Sequence, residues 1–193
     1  MSDDIAVVIF AGGKGNRVGG DKPLRKLRGE RLIDHALRQA RNWSKMVAVS
    51  VRDPGQVQPT DALLLADEPG IEGPLGGLIS ALRFGKERGC VFVLTIAVDM
   101  PLLPFDLLTR LSDAIGGYAC TIASSGGHVH PVCALWRTES LRQIEEYVAT
   151  GKRSIRGFAE LIGFDAVEWP TELSDPFFNI NTAADLARAE QLP

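Results

Sequence analysis

The chain alternates between short apolar runs and segments with helical spacing. Mainly apolar runs of the length of buried strands lie at 5–10, 46–51, 62–66 and 91–98. Between them, the segment 32–43 repeats apolar residues at helical spacing, and helix-like sequence follows at 78–86 and 105–115. This alternation predicts an α/β fold with a doubly wound, mainly parallel sheet in three layers. In such a fold ligands collect beyond the carboxyl ends of the strands.

The second half of the chain continues the same pattern. Strands are predicted at 118–123, 128–136 and 165–169, and helices at 138–150, 154–162 and 183–191. Thr138 and Thr182 are the predicted N-caps of the first and last of these helices, and Gly151 is the predicted stop of the first. The segment 177–182, FFNINT, is predicted to be extended, so that Asn179 and Asn181 face the same way.

Length and charge narrow the function classes. The 193 residues predict a single domain, 1–193, and a net charge of −3 excludes a strongly basic nucleic-acid surface. No apolar run approaches the roughly 20 residues needed to cross a bilayer, and the N-terminus is acidic. We therefore expect a cytoplasmic protein without nucleic acid or membrane partners. The cysteines, three in number and widely spaced, predict reduced core thiols.

A glycine-rich loop follows the first strand. Within it, Gly12, Gly13, Gly15, Gly19 and Gly20 lie close to three cations, at positions 14, 17 and 22. A glycine turn after a strand, with free N–H groups and fixed positive charge, suits a phosphate chain. The loop matches neither the dinucleotide fingerprint nor the Walker pattern. A flexible surface turn is the alternative, and the placement of the cations favours phosphate binding.

A second glycine-rich loop, 67–77, follows the third strand. Asp67 stands at the end of that strand, and Gly73, Pro74, Gly76 and Gly77 come immediately before a predicted helix. Bare backbone at a helix N-terminus favours an anion or a base carbonyl. A simple connector and a ligand contact both remain open for this loop.

Asp99 ends the most apolar strand of the chain. Pro101 and Pro104 follow it, and the next predicted helix begins too late for Asp99 to be its N-cap. A carboxylate at the tip of a buried strand, facing a cationic glycine loop, suits magnesium and a triphosphate. His128 and His130 share one face of a strand, but two histidines without a third ligand favour solvent or a substrate anion over a metal.

A small basic cluster lies near residue 154. Its members are Lys152, Arg153 and Arg156. A solvated helix face and a contact with a second phosphate-bearing substrate are both open for it.

Five separated pieces together resemble one family. These are FAGGKGNRVGGDKPL, LADEPGIEGPLGG, VDMPLLP, HVHPVCAL and FFNINTAADLARAE, which in order and spacing are similar to the molybdenum cofactor guanylyltransferases. The resemblance implies a nucleotide-binding α/β fold and a Mg²⁺-dependent transferase. Its implied activity joins the GMP part of GTP to the terminal phosphate of molybdopterin and releases pyrophosphate. Molybdoenzyme apoproteins or chaperones are further candidate partners.

The resemblance also implies roles for particular residues. It implies nucleotide contacts at Phe10, Ala11, Gly12 and Gly13, and phosphate contacts at Arg17, Gly20 and Lys22. Asp67 is expected near the nucleoside, supported by Gly73 and Gly77. Asp99 is expected to bind magnesium and to act in catalysis with Arg17 and Lys22, while Asn179 and Asn181 lie toward the pterin or the metal.

The chain departs from the family pattern at two positions. Phe10 replaces the usual leucine, which changes only packing. Ser50 stands where the family has an asparagine, so guanosine recognition at that point depends on a shorter side chain. Gly12 leaves room for guanine where cytidylyltransferases have alanine, which favours GTP over CTP. Alternatives are transfer from CTP or to another phosphorylated acceptor, and a non-catalytic protein that binds or delivers the cofactor.

Overall fold

A computed structural model describes residues 4–12 and 22–192, and it is built on one seven-stranded sheet. The strands are β1 Ile5–Phe10, β2 Lys26–Leu27, β3 Glu30–Arg31, β4 Val47–Val51, β5 Leu63–Ala66, β6 Phe92–Ala97, β7 Cys120–Ser125, β8 His128–Arg137 and β9 Phe164–Trp169. The helices are α1 Leu32–Trp43, α2 Pro74–Glu87, α3 Leu107–Ala114, α4 Leu141–Ala149, α5 Ile155–Ile162 and α6 Ala183–Gln191.

The sheet is mainly parallel, as predicted. Its strand order is β5-β4-β1-β6-β8-β7-β9, and β2 and β3 form a separate two-stranded hairpin. Strands β5, β4, β1 and β6 run parallel to one another, and β7 pairs in parallel with β9. Strand β8 runs antiparallel to both of its neighbours, β6 and β7. The parallel strands of the first half therefore end at one edge, which is where the sequence predicts a ligand.

Helices cover the sheet on both faces, giving three layers. Along β1, Val7 and Ile9 point into a core that reaches α1, α3 and α6, whereas Ala6 and Val8 point into a core formed with α2, α4 and α5. All four side chains are fully buried. Burial on both faces explains why β1 reads as a continuous apolar run without alternation. The predicted α/β fold is confirmed.

The predicted elements are present, with shifts that have local causes. The prediction that Thr138 caps the following helix is wrong, because its hydroxyl donates to the Cys90 carbonyl oxygen at 2.9 Å and a 3-10 turn precedes α4. The second helix begins four residues before the predicted start, since Pro74 fits its first turn. Residues 177–182 do not form a strand, but the prediction that Asn179 and Asn181 face the same way is confirmed, because both side-chain oxygens reach Lys22 Nζ.

Other sequence predictions agree with the structure. The Thr182 side chain accepts from the Asp185 amide at 3.1 Å and caps α6, as predicted. Cys90, Cys120 and Cys133 are buried free thiols. No helix in the described part of the chain is both long and apolar enough to cross a membrane.

Candidate active site

A cleft of about 810 Å³ opens at the carboxyl ends of β1, β4 and β6. Parallel strands bring their following loops to this edge, so residues far apart in sequence meet there. The described residues that line it and that the sequence singled out are Phe10, Ala11, Gly12, Lys22, Ser50, Asp67, Gly73, Gly77, Asp99, Asn179 and Asn181. The predicted positions Gly13, Arg17 and Gly20 lie outside the described residues.

At one end of the cleft, the ammonium group of a lysine is surrounded by side-chain oxygens. Lys22, at the start of a single 3-10 turn, forms a salt bridge through its Nζ atom with Asp99 Oδ2, and the two side chains are 14% and 16% exposed. The same Nζ donates to Asn181 Oδ1 at 2.9 Å and lies 3.4 Å from Asn179 Oδ1. The two amides thus converge on one atom, although their segment is not a strand.

Asp99 is held in place through its backbone. Its carbonyl oxygen accepts from the Ile180 amide at 2.9 Å, and Ile180 is buried in the core. The helix that follows begins at Leu107 after Asp106, so Asp99 is not a helix cap. The carboxylate is therefore available to groups in the cleft, which is what a metal or substrate role requires.

The other end of the cleft is organised around Asp67. Ser50, which is 1% exposed, donates its hydroxyl to Asp67 Oδ1 at 2.5 Å. A Cβ atom on Gly77 would lie 2.8 Å from Ser50 Oγ, and one on Gly12 would lie 2.7 Å from Asp67 Oδ2. Both glycines are therefore required for this carboxylate to sit where it does. The shorter side chain at position 50 acts on Asp67 rather than spanning the cleft.

The second glycine-rich loop directs the N-terminus of α2 at the cleft. Gly73 is the N-cap with φ 81, a left-handed conformation that favours glycine, and Pro74 begins the helix. A Cβ atom on Gly76 would lie 2.8 Å from the Ile71 carbonyl oxygen, so this close turn also needs glycine. Gly73, Pro74 and Gly77 line the cleft, where the positive end of the helix dipole favours an anion.

A brace outside the cleft supports the segment that carries the two asparagines. Asp175 Oδ1 accepts from the Ser125 hydroxyl at 2.8 Å and from the Phe177 amide at 2.9 Å. His130 Nε2 lies 2.8 Å from Ser125 Oγ, and its ring stacks on Phe177 with centroids 4.7 Å apart. Burial lowers the pKa of His130, and the nearby Asp175 carboxylate opposes this only in part.

This brace was not predicted, since Ser125 and Asp175 lie 50 residues apart and neither stands in a recognisable motif. The order of contacts is also unlike a nucleophilic triad. The serine donates to the aspartate, so the histidine does not accept the hydroxyl proton. The brace is therefore a structural support for residues 175–182, and it occupies His130, which the sequence left as a possible substrate contact.

The basic cluster makes local contacts. Arg156 pairs with Glu160 at 2.9 Å, and Arg153 donates to the Val148 carbonyl oxygen at 2.9 Å. Lys152 lies over the Tyr147 ring, 5.4 Å from its centroid. None of the three lines the described cleft.

The donor set at the Lys22 end fits a hard divalent cation. Asp99 contributes a carboxylate, and Asn179 and Asn181 contribute amide oxygens, which are the ligands that Mg²⁺ prefers. Within residues 4–12 and 22–192 there is no group of three or more His, Cys, Asp and Glu placed to hold a metal. A cation here would consequently need further oxygens from a substrate, as is usual for Mg²⁺ bound with phosphates.

Comparison with known proteins identifies the family. Residues 7–165 match the MobA-like NTP transferase domain. A molybdenum cofactor guanylyltransferase from Cereibacter sphaeroides is 36% identical over 96% of this chain and 95% of its own length. The chain belongs to the molybdenum cofactor guanylyltransferase family. A guanylyltransferase of this family from Acidiphilium cryptum is 37% identical over 96% of this chain and 94% of its own.

Solved structures agree with the molybdenum cofactor guanylyltransferase assignment. The molybdopterin-guanine dinucleotide biosynthesis protein A from Archaeoglobus fulgidus superposes with a TM-score of 0.78 at 26% identity, covering 96% of this chain and 97% of that one. A 2-C-methyl-D-erythritol 4-phosphate cytidylyltransferase from Thermus thermophilus, at 19% identity and a TM-score of 0.71 over 98% of each chain, shares the fold. The predicted family and enzyme class, a nucleotidyltransferase, are confirmed.

Proposed function

We propose that this protein transfers GMP from GTP to the terminal phosphate of molybdopterin, forming the guanine dinucleotide cofactor and releasing pyrophosphate. One observation carries the proposal. Lys22 and Asp99, 77 residues apart, meet at one end of a cleft whose other end presents Asp67, so a triphosphate and its nucleoside fit along a single groove. Family membership supplies the chemistry that this groove would perform.

The Asp67 end is the proposed nucleoside site. Guanine presents an N–H and an NH₂ group side by side, and an ionised carboxylate accepts from both. Ser50 occupies Asp67 Oδ1 with one bond and leaves that oxygen with further acceptor capacity, while Oδ2 lies beside Gly12. Glycine at positions 12 and 77 leaves the space that Asp67 Oδ2 and Ser50 Oγ fill, so both glycines support the carboxylate at this end. These features favour GTP over CTP.

The Lys22 end is the proposed phosphate site. Lys22 supplies a positive charge for the oxygens that become the leaving pyrophosphate. Asp99, with Asn179 and Asn181, would hold Mg²⁺. When bound there, the ion would neutralise triphosphate charge. Arg17 and Gly20 remain predicted phosphate contacts, and Gly13 remains a predicted nucleotide contact.

The transfer itself needs no covalent intermediate on the protein. An oxygen of the acceptor phosphate attacks the α-phosphorus of GTP in line, the bond to the bridging oxygen breaks, and pyrophosphate leaves. Two anions must approach each other, so the cleft contributes by orienting both and by placing Lys22 against the developing charge. Molybdoenzyme apoproteins or chaperones that receive the product remain a prediction, as does the cytoplasmic location.

The decisive experiment measures pyrophosphate release from each of the four nucleoside triphosphates, with and without purified molybdopterin. We expect that, of the four triphosphates, only GTP releases pyrophosphate, and only when molybdopterin is present. In Asp99→Asn the rate of this release should fall at least 100-fold. Asp113→Asn is a matched control, because the Asp113 side chain is exposed on α3 and the substitution removes the same negative charge. Release from CTP would establish the cytidylyltransferase alternative, and binding without release would establish a carrier.

A further inference from the structure

Lys22 Nζ is enclosed by three oxygens that come from two distant parts of the chain. We call Asp99 Oδ2, Asn179 Oδ1 and Asn181 Oδ1 the oxygen cage. An ammonium group has three N–H donors and no acceptor, so three converging oxygens satisfy it completely. Lys22 Nζ lies 2.9 Å from Asn181 Oδ1 and 3.4 Å from Asn179 Oδ1, and it forms the salt bridge with Asp99. These three contacts equal the three N–H donors of the ammonium group.

The oxygen cage is held together without Lys22. The Ile180 amide, between the two asparagines, donates to the Asp99 carbonyl oxygen at 2.9 Å. On one side, Asp175 fixes the segment through Ser125, and on the other side Thr182 begins α6 with a capping box. The three oxygens therefore stay close to one another when the lysine side chain moves to a different partner.

The same oxygens have the chemistry of a divalent-cation site. One carboxylate and two neutral amide oxygens suit Mg²⁺ or Mn²⁺, with the remaining positions taken by water or phosphate. An ammonium and a divalent ion cannot both sit there, because like charges a few ångströms apart in a half-buried cleft repel strongly. The cage thus has room for one cation at a time.

We propose that the Lys22 ammonium and a divalent metal ion are alternative occupants of the oxygen cage, so that metal binding depends on the nucleotide. This inference rests on the proposed function for the identity of the nucleotide. A metal ion that arrives alone must displace Lys22 from Asp99 and leave the ammonium without an anionic partner. A triphosphate provides that partner, so the lysine moves to phosphate oxygens and the cage accepts the metal.

This exchange has a thermodynamic consequence. If the nucleotide raises metal affinity by some factor, the metal raises nucleotide affinity by the same factor. Lys22 is the element through which part of this coupling passes. Removing its charge should therefore strengthen metal binding in the absence of nucleotide and reduce the coupling, whereas a purely phosphate-binding lysine would leave the affinity of the free protein for metal unchanged.

The test is a titration of the full chain with Mn²⁺ in the absence of nucleotide. The electron paramagnetic resonance signal of free Mn²⁺ measures how much of the ion is bound. We expect Lys22→Met to bind Mn²⁺ at least tenfold more tightly than the unmodified chain. Lys26→Met is the matched control. Lys26 is exposed on β2 and lies outside the cleft, and the substitution removes the same positive charge. Adding Asn181→Ala to Lys22→Met should reverse the gain.

Equal Mn²⁺ affinities in the unmodified chain, Lys22→Met and Lys26→Met would overturn the proposal. Equal gains in the two lysine variants would also overturn it, because they would show a general charge effect. Lys22→Gln serves as a second variant if the methionine variant does not fold. The titration needs no turnover, so the two proposals can fail separately. If the unmodified chain transfers GMP but Lys22→Met shows no gain in Mn²⁺ affinity, only this inference fails. If Lys22→Met shows the gain but the unmodified chain does not transfer GMP, only the proposed function fails.

Discussion

The hydrogen bond from Ser50 to Asp67 offers a quantitative test of the nucleoside end of the cleft. Ser50→Ala removes a 2.5 Å bond to a carboxylate from a position that is 1% exposed. A hydrogen bond to a charged group contributes roughly 1.5–3 kcal/mol. Asp67 is only partly buried, so water can reach the oxygen that loses its donor, and the cost should fall near the lower end of this range.

We therefore expect Ser50→Ala to lower the free energy of unfolding by about 1.5 kcal/mol, which for a chain of this size lowers Tm by roughly 3–6 °C. A second effect, of similar size, should be on nucleotide binding. An Asp67 side chain released from Ser50 must be ordered again when the base binds, and a cost of about 1.4 kcal/mol weakens GTP binding about tenfold. Isothermal titration calorimetry with GTP and thermal unfolding measure the two effects separately.

Ser80→Ala is the matched control for this prediction. Ser80 is also a buried serine, and its hydroxyl donates to the Ala66 carbonyl oxygen at 2.7 Å, but it does not line the cleft. It should lower the free energy of unfolding by about 1 kcal/mol and leave GTP affinity unchanged. The reasoning fails if the two variants weaken GTP binding equally, or if Ser50→Ala destabilises the fold while its GTP affinity stays intact.

Three further predictions concern packing and ionisation. Gly77→Ala would place a Cβ atom 2.8 Å from Ser50 Oγ, so it should weaken GTP binding at least tenfold in calorimetry; unchanged affinity would contradict the role of this glycine. Burial lowers the pKa of His130 below its ordinary 6.5, so its contribution to stability is complete above pH 6.5 and is lost as pH falls through the lower folded pKa. Denaturant unfolding from pH 8 to pH 5 should therefore show a shallower loss of stability in His130→Asn, and parallel curves would refute this. Burial raises the pKa of Cys120 and Cys133 to about 12, so mass spectrometry should find neither thiol alkylated at pH 8 until urea unfolds the chain, whereas rapid labelling of the native protein would contradict their burial.

Much of the fold could be predicted because it depends on local periodicity. The helix 32–43 has the predicted bounds, since its apolar residues repeat at helical spacing and both ends are marked by changes in pattern. The cap at Thr182 was predictable because a short polar side chain before a helix satisfies a free amide within three residues. Thr138 shows the limit of this reasoning, because a distant carbonyl oxygen competes successfully for its hydroxyl.

The sequence by itself determined the α/β alternation, the glycine loops that follow strands, and the carboxylates Asp67 and Asp99 at strand ends, because each depends on residues close together in the chain. Only the tertiary structure decided how these parts meet. Asn181 reaches Lys22 across 159 residues, Ser50 reaches Asp67 across 17, and no local pattern encodes either contact. Strand order and loop packing fix such distances, so the oxygen cage and the orientation of Asp67 are properties of the folded chain.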